Sequence, residues 1–352
     1  MRREFRTSFA LAAAVLLAAV LLLAGCTRRP LLESSEAVRI MVKVDVKAVA
    51  NVTTDIYNEK IPVPDLNTDM MRVLVYDPDT KNLLTQSFIS NKSYDGEGNQ
   101  VFTGSLAISH GDFDFLVYNF DTPTTQISSE SNEMQILAYT GSIPESLRSK
   151  YGVTKSDDED AVAINYEPDH LVVAREPGLR VSPHDTLVVI HTTARTIIDT
   201  YYLQVHVEGM QYASAATAVI TGLSPSNHIG PDIRTDDPTA AVCFDLLKST
   251  DDNIAGANKD VLCAVFNTFG KVEDADSDLH VTFNVTDTAG NLLKYDCDLN
   301  TVFRSEYAIR YHWLLVDDTI VIPNPTPNPG PNPGGFQPQV DDWTEEEGTI
   351  VL

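Results

Sequence analysis

Residues 38–47 of the chain, VRIMVKVDVK, decide the fold class because they alternate between two kinds of side chain. Every second residue is aliphatic, and four of the five residues between them are charged. Successive side chains of a β-strand point to opposite faces of its sheet, so this period of two predicts a strand with one buried face. The aliphatic positions are Val38, Ile40, Val42, Val44 and Val46.

Short runs of the same kind recur along the chain between turn sequences. Residues 70–76 and 83–89 are two such runs, and Asp77-Pro78-Asp79-Thr80 between them is typical turn chemistry. At least fourteen short strands are predicted, with at most one or two helices near residues 133–151. The absence of long helical patterns between the strands favours β-sandwiches over an α/β fold. We therefore predict an all-β fold.

The length of 352 residues allows two domains. We predict an N-terminal β-sandwich at 37–183, a C-terminal β-sandwich at 184–322 and a linker rich in Pro, Asn and Gly at 323–335. Residues 336–352 then form a terminal strand segment that is part of the second domain or extends it, or else a frayed tail. The apolar residues of this predicted strand-exchange segment are Phe336, Val340, Trp343, Ile350 and Leu352.

The N-terminus has the pattern of a lipoprotein signal peptide. Three arginines precede an apolar run of 17 residues, 9–25, which is short for a membrane-spanning helix of ~20 residues. Leu23-Ala24-Gly25-Cys26 looks like a lipobox, with signal cleavage between Gly25 and Cys26 and lipid attachment on Cys26. Residues 26–36 form a polar tether. Acyl chains on Cys26 would hold the protein to a membrane.

The charge balance excludes several classes of partner. Asp and Glu number 50 against 25 Lys and Arg, which argues against nucleic acid and against electrostatic docking on anionic lipid. The sequence contains no HExxH, CxxC or phosphate-loop motif. We predict no catalytic residue, metal ligand or cofactor, and therefore a non-enzymatic protein.

Three cysteines follow the lipobox. Cys243 and Cys263 lie in neighbouring apolar runs, which would place them on adjacent strands. An exported protein permits a disulfide between them, with Cys297 left free. The alternative is three buried thiols.

Four segments, in this order, resemble the fimbrillin and fimbrial-anchor superfamily of Bacteroidales lipoproteins, the subunits of type V pili. The second departs from the family's usual Pro and Tyr at His110 and Phe113. The segments are 73–84 (VLVYDPDTKNLL), 106–119 (LAISHGDFDFLVYN), 192–223 and 334–352. The resemblance implies two tandem transthyretin-like Greek-key β-sandwich domains and partners that are other fimbrial subunits, joined by strand complementation.

The resemblance also implies two alternative fates for the N-terminus. Stalk and tip subunits of the family are cut after Arg or Lys by a trypsin-like protease, and Arg39 is the matching residue here, with Arg28 and Arg29 as alternatives. Anchor subunits keep their lipid, and the short tether favours an anchor or minor subunit on the outer membrane at the cell surface. The basic residues after Cys26 differ from the acidic ones that surface lipoproteins of this lineage often carry.

Two other interpretations remain open. A surface glycan-binding β-sandwich lipoprotein would need an exposed aromatic platform, for which Trp313 and Trp343 are the available tryptophans. A structural periplasmic lipoprotein outside any polymer would share the same sequence features.

Overall fold

The structure is a computed structural model in which a defined part of the chain is described. The predicted signal peptide, tether and terminal strand segment lie outside that part, as does all of the linker after Pro325. The described residues are 40–49, 61, 66, 68–120, 122–152, 163–236, 238–251, 259–272 and 279–325.

Strands dominate the described residues, so the prediction of an all-β fold is confirmed. The strands are β1 (Ile40–Val49), β2 (Met71–Tyr76), β3 (Leu83–Ile89), β4 (Asn91–Tyr94), β5 (Gln100–Ile108), β6 (Gly111–Asn119), β7 (Thr125–Ser128), β8 (Leu137–Thr140), β9 (Ala163–Asn165), β10 (Val172–Val181), β11 (Leu187–Thr196), β12 (Asp199–Glu208), β13 (Ala213–Leu223), β14 (Ser226–His228), β15 (Ile233–Arg234), β16 (Ala240–Asp245), β17 (Leu247–Asp251), β18 (Lys259–Thr268), β19 (His280–Asp287), β20 (Leu292–Asp298) and β21 (Trp313–Val321). The short helices are α1 (Glu145–Lys150), α2 (Asn300–Phe303) and α3 (Glu306–Tyr311).

The first half of the chain forms one eight-stranded sheet in the order β3-β2-β6-β10-β11-β1-β5-β4. Its strands β10 and β11 pair only at Val172 and Val173, and β10 carries a bulge between Glu176 and Leu179. A bulge bends its strand and increases the local twist, so the sheet folds into two layers at this point. The two layers enclose one apolar core, to which β1, β2, β5, β6, β10 and β11 all contribute.

Gly104 of β5 lies where the two layers meet, against Ile89 of β3. A Cβ atom at Gly104 would lie 2.8 Å from the Cβ of Ile89 and 3.2 Å from its Cα. A separation of 2.8 Å is too short for two carbon atoms, so glycine is the residue that allows β3 and β5 to approach this closely.

Gly104→Ala should therefore lower the free energy of unfolding by about 1–3 kcal/mol, because the added methyl group overpacks the contact. Urea denaturation followed by circular dichroism measures the change. Gly96→Ala is the matched control, since no atom lies within 4 Å of its Cβ position. Equal stability of the two variants would contradict the close packing of β3 on β5.

Most of the second half forms two sheets that pack face to face. Their strand orders are β17-β18-β12-β21 and β20-β19-β13-β16-β9, and both contribute to a single apolar core. Residues from facing strands in this core include Leu203, Leu262, Phe266, Ile220 and Phe283. This arrangement is a β-sandwich.

Strands from the two halves also pair with one another. A fourth sheet, β15-β14-β8-β7, pairs strands from before residue 141 with strands from after residue 225, and β9 runs parallel to β16. The predicted boundary at 183/184 falls inside the hairpin of β10 and β11, where Asp185 N donates to Ser182 O at 3.0 Å. The eight-stranded sheet therefore reaches Thr196, because the Pro-containing turn at 182–185 joins two of its strands rather than two domains.

The first and last strands of each half pair in parallel. β1 lies beside β11, with Val44 opposite Ile190, and β12 lies beside β21, with Val205 opposite Val316. The chain passes from β11 to β12 through Ile197 and Ile198 alone. Each half is thus closed by the strands at its own two ends.

The three described cysteines are free, buried thiols. The expectation that Cys243 and Cys263 lie on adjacent strands is wrong, because they belong to β16 and β18, which are in different sheets. Their side chains also join separate apolar clusters. The disulfide that we considered for them is not formed, and the alternative of three buried thiols describes the structure.

Candidate assembly site

β1 is an internal strand with one fully buried face. It pairs with β11 on one side and with β5 on the other, so Val42 lies between Val188 and Leu106. The predicted alternation is confirmed over the described part of the quoted stretch, because every second side chain is at most 3 % exposed. These buried residues are Ile40, Val42, Val44, Val46 and Ala48.

The opposite face of β1 is held by ion pairs. Lys47 Nζ lies 2.7 Å from Glu97 Oε2 and 2.9 Å from Asp95 Oδ2, in the turn between β4 and β5. Hydrogen bonds to Glu97 and then to Asp95 raise the pKa of Lys47. A hydrogen bond from the side chain of Asn99 is the main reason that the pKa of Asp95 is lowered, and the hydrogen bond from Lys47 acts in the same direction. Solvent reaches these side chains, so the pairs contribute little to the stability of the fold.

The N-terminal candidate residues all precede β1 in the sequence. Gly25, Cys26, Arg28, Arg29 and Arg39 lie outside the described residues. Ile40 is the first residue of β1, so a cut after Arg39 or after either earlier arginine would leave the whole strand in the chain.

The C-terminal candidate residues likewise lie outside the described residues, which end at Pro325. They are Phe336, Val340, Trp343, Ile350 and Leu352. The last described strand, β21, is at the edge of its sheet. Asp317 and Asp318 on β21 are exposed, and charged residues on an edge strand discourage pairing with foreign strands.

A cavity of about 800 Å³ lies between the two halves. Phe120, Tyr151 and Tyr166 supply aromatic rings to its wall, and Glu167 and Asp169 supply carboxylates. A volume of this size is in the usual range for a ligand site. The described residues contain no group of three or more His, Cys, Asp or Glu side chains arranged to hold a metal ion.

One acidic residue of the cavity, Glu167, connects the two halves, and a second, Asp169, braces the first half. Glu167 Oε2 accepts a hydrogen bond from Asn267 N of β18 at 2.9 Å, and burial raises the pKa of Glu167 to about 7. Asp169 Oδ2 accepts from Thr125 N at 2.8 Å. Burial lowers the pKa of His170. None of these residues was singled out by the sequence, because their roles depend on contacts between distant segments.

Glu167→Gln should raise the free energy of unfolding at pH 8 by about 1–3 kcal/mol. The pKa of Glu167 is about 7 in the fold against an ordinary value of 4.5, so the folded state binds more protons between these pH values. The wild-type chain therefore loses stability as the pH rises from 4.5 to 7, and the uncharged amide does not.

Urea titrations at pH 5 and pH 8 measure the effect, which should be small at the lower pH. Glu145→Gln is the matched control, because Glu145 is exposed. A difference between Glu167→Gln and the wild type that is the same at both pH values would contradict the prediction.

Comparison with known proteins agrees with this architecture. The crystal structure of a putative adhesin from Bacteroides ovatus ATCC 8483 matches with a TM-score of 0.53 at 17% identity, over 86% of this chain and 98% of that one. A curated Bacteroides ovatus protein, "Putative fimbrium anchoring subunit Fim4B", is 23% identical over 216 residues. That match covers 61% of this chain and 55% of the relative, so the chain spans about half of the relative's length.

These matches confirm the resemblance to Bacteroidales fimbrillin-like proteins that the sequence motifs indicated, and the fold is similar to that of the matched adhesin structure. The chain belongs to the family described as "Domain of unknown function (DUF5119)", whose sequence profile matches residues 25–245. Among the described residues there is no helix of the length and apolar character needed to cross a membrane.

Proposed function

We propose that the chain is a non-enzymatic fimbrial anchor or minor structural subunit, assembled by β-strand exchange and attached to the outer membrane by acyl chains on Cys26. The proposal depends on one observation, which is the position of β1 in the core shortly after Cys26. Its first residue, Ile40, follows Cys26 by 14 positions, and its buried face is part of the first core. A lipid on Cys26 would thus be joined to the body of the protein through one core strand.

Strand exchange would use the same kind of strand as β1, with main-chain pairing at its edges and one buried face. An extended segment with alternating apolar residues can occupy the place of a strand, because main-chain hydrogen bonds give affinity and pockets for alternate side chains give specificity. The apolar residues of 336–352 do not follow a strict alternation, but they, Trp343 among them, are the side chains that such a segment would place in those pockets. We assign this segment as the strand that pairs with a neighbouring fimbrial subunit, and we assign each half a transthyretin-like Greek-key topology.

The anchor role depends on whether the lipid is kept. An anchor retains Cys26 with its acyl chains at the cell surface, whereas a stalk or tip subunit loses them by cleavage after Arg39, Arg28 or Arg29. The curated relative carries a name that describes an anchoring subunit, which supports the first of these roles.

Mass spectrometry of the mature protein from the outer membrane tests the anchor role. We expect an acylated N-terminus at Cys26, and Cys26→Ala should move the protein out of the membrane fraction. Arg39→Gln is the matched control and should leave the protein in place. A mature N-terminus at Ile40 would refute the anchor role.

Deletion of residues 336–352 tests the strand-exchange role. The deleted protein should keep its fold by circular dichroism but no longer co-purify with fimbrial subunits after crosslinking. A Gly/Ser segment of the same length in place of 336–352 controls for chain length and should behave like the deletion. Unchanged co-purification of the deleted protein would refute strand exchange.

Glycan binding is the second candidate function, and the cavity between the halves favours it. Tyr151 and Tyr166 offer rings on which a sugar can stack, and Asp169 offers a carboxylate that can accept from hydroxyl groups. Affinity electrophoresis in gels that contain polysaccharide tests this candidate. Retardation that is lost in Tyr166→Ala would support it, and equal mobility with and without polysaccharide would exclude it for the glycan used.

A further inference from the structure

Three side chains from distant parts of the first half meet at one point. Lys81 follows the turn after β2, Asp114 lies in β6, and Glu133 lies between β7 and β8. Lys81 Nζ is 2.5 Å from Asp114 Oδ2 and 3.2 Å from Glu133 Oε2. The three groups are an amine and two carboxyls in mutual contact.

The backbone fixes all three groups in place. Glu133 N donates to Lys81 O at 2.8 Å, so the two segments that carry these residues are joined. Lys81 itself has a φ of 61°, and its N–H donates to Asp77 O at 2.8 Å. Gly178 N donates to Asp114 Oδ1 at 2.6 Å and holds the second oxygen of that carboxyl. The geometry therefore does not depend on flexible side chains alone.

Water is largely excluded from the two carboxyl groups. The Asp114 side chain is 3% exposed and that of Glu133 is 12% exposed, against 34% for Lys81. Burial raises the pKa of Glu133, which favours its protonated form. Burial acts in the same direction on Asp114, but hydrogen bonds from Lys81 and Gly178 outweigh it and lower the pKa of that group.

We propose that Lys81 and Asp114 form an intramolecular isopeptide bond, with Glu133 transferring the protons. The inference is independent of the proposed function. It rests on an amine held against a buried carboxyl with a second carboxyl beside both.

The step balances without an oxidant or cofactor. The ion pair is the resting state, because the hydrogen bond between the two groups raises the pKa of Lys81 and helps to lower that of Asp114. A proton must therefore first pass uphill from Lys81 Nζ to Asp114 Oδ2, which gives the neutral amine and the neutral acid that react. The amine attacks Asp114 Cγ and forms the C–N bond. Glu133 takes a proton from the nitrogen and gives one to the departing hydroxyl group, so the C–O bond breaks and one water molecule leaves. Glu133 ends in its starting state, and the two charges of the pair have cancelled.

Two physical effects favour the amide over the ion pair. Groups held in a reactive geometry reach effective molarities of about 10⁵ M or more, which offsets the unfavourable condensation of free amines with carboxylates in water. Burial of an ion pair also carries a desolvation cost that a neutral amide avoids. The product joins the β2–β3 turn covalently to β6.

Intact-mass spectrometry of the denatured full chain tests the proposal. The wild-type protein should weigh less than its sequence by one water molecule. Trypsin cannot cleave after a Lys81 that is bound in an amide, so peptide 73–92 should remain joined to peptide 93–148. A wild-type protein at its full sequence mass without this linked peptide would overturn the proposal.

Variants identify the atoms involved. Lys81→Arg keeps the charge but removes the amine, and it should have its full sequence mass. Glu133→Gln should slow bond formation at least tenfold. Asp114→Asn should lose ammonia instead of water and give the same linked peptide. Loss of water that persists in Lys81→Arg would overturn the proposal, because it would arise elsewhere in the chain.

A second lysine–aspartate pair provides the matched control. Lys150 Nζ lies 2.7 Å from Asp245 Oδ1, but these side chains are 48% and 59% exposed. No third carboxyl is recorded in contact with this pair among the described residues. Lys150→Arg should leave the water loss unchanged, and a linked peptide that contains Lys150 would show that proximity alone is sufficient and overturn the role of Glu133.

Discussion

Val44→Asp is expected to unfold most of the first half of the protein. Val44 is fully buried at the centre of β1, where it faces the core enclosed by the two layers of the eight-stranded sheet. The substitution removes about 1.5–3 kcal/mol of apolar burial and also places a carboxylate where the apolar core offers it no partner. We expect a loss of at least about 4 kcal/mol, which is a large part of the stability of a typical domain.

Urea denaturation of the purified chain measures this loss, with circular dichroism as the signal. Met41→Asp is the matched control, because Met41 lies on the opposite face of the same strand and is 44% exposed. That variant should stay within about 1 kcal/mol of the wild type, as most surface substitutions do. Similar losses for both variants would mean that β1 does not bury the face assigned to it.

Trp313→Ala should have the second largest effect and should act on the other half. Trp313 begins β21, is 1% exposed and lies opposite Tyr202 of β12. Removal of the indole ring leaves a cavity that the surrounding strands can fill only in part. Such truncations cost about 3–5 kcal/mol.

Thermal denaturation detects the loss as a lower midpoint. Tyr307→Ala is the matched control, because the Tyr307 ring is 48% exposed and touches Trp313 only edge to face, at 5.0 Å between ring centres. An aromatic pair of this kind contributes about 0.5–1.5 kcal/mol. An equal fall in the midpoint for both variants would contradict the buried position of Trp313.

The strands could be predicted because their signal is local. The alternation in residues 38–47 requires only that one face of a strand is buried, and the side chains from Ile40 to Ala48 meet this condition. The turn at Asp77 was also recognisable, since its Oδ1 accepts from Thr80 N at 2.7 Å within the same short segment. Such features depend on neighbours a few residues apart.

The remaining features depend on contacts between distant segments. The hairpin of β10 and β11 that spans the predicted boundary at 183/184 was not recognisable, because a proline turn looks the same inside a sheet as between domains. Cys243 and Cys263 are close in the sequence but not on adjacent strands, because the order of strands in the sheets differs from their order in the chain. Lys81 and Asp114 carry no local motif and meet only when the β2–β3 turn packs beside β6.

The parallel pairing of end strands determines how the protein would respond to tension. A force applied to the chain before Ile40 would enter β1 at that residue and leave the first half at Thr196, which is the far end of the parallel strand β11. The second half has the same geometry, because the force would be applied to β12 at Asp199 and to its parallel neighbour β21 at the far end, Val321. Such a force shears the two neighbouring strands along their length. The paired residues, nine pairs in the first half and seven in the second, would then share the force, so their pairing must break together rather than one pair at a time.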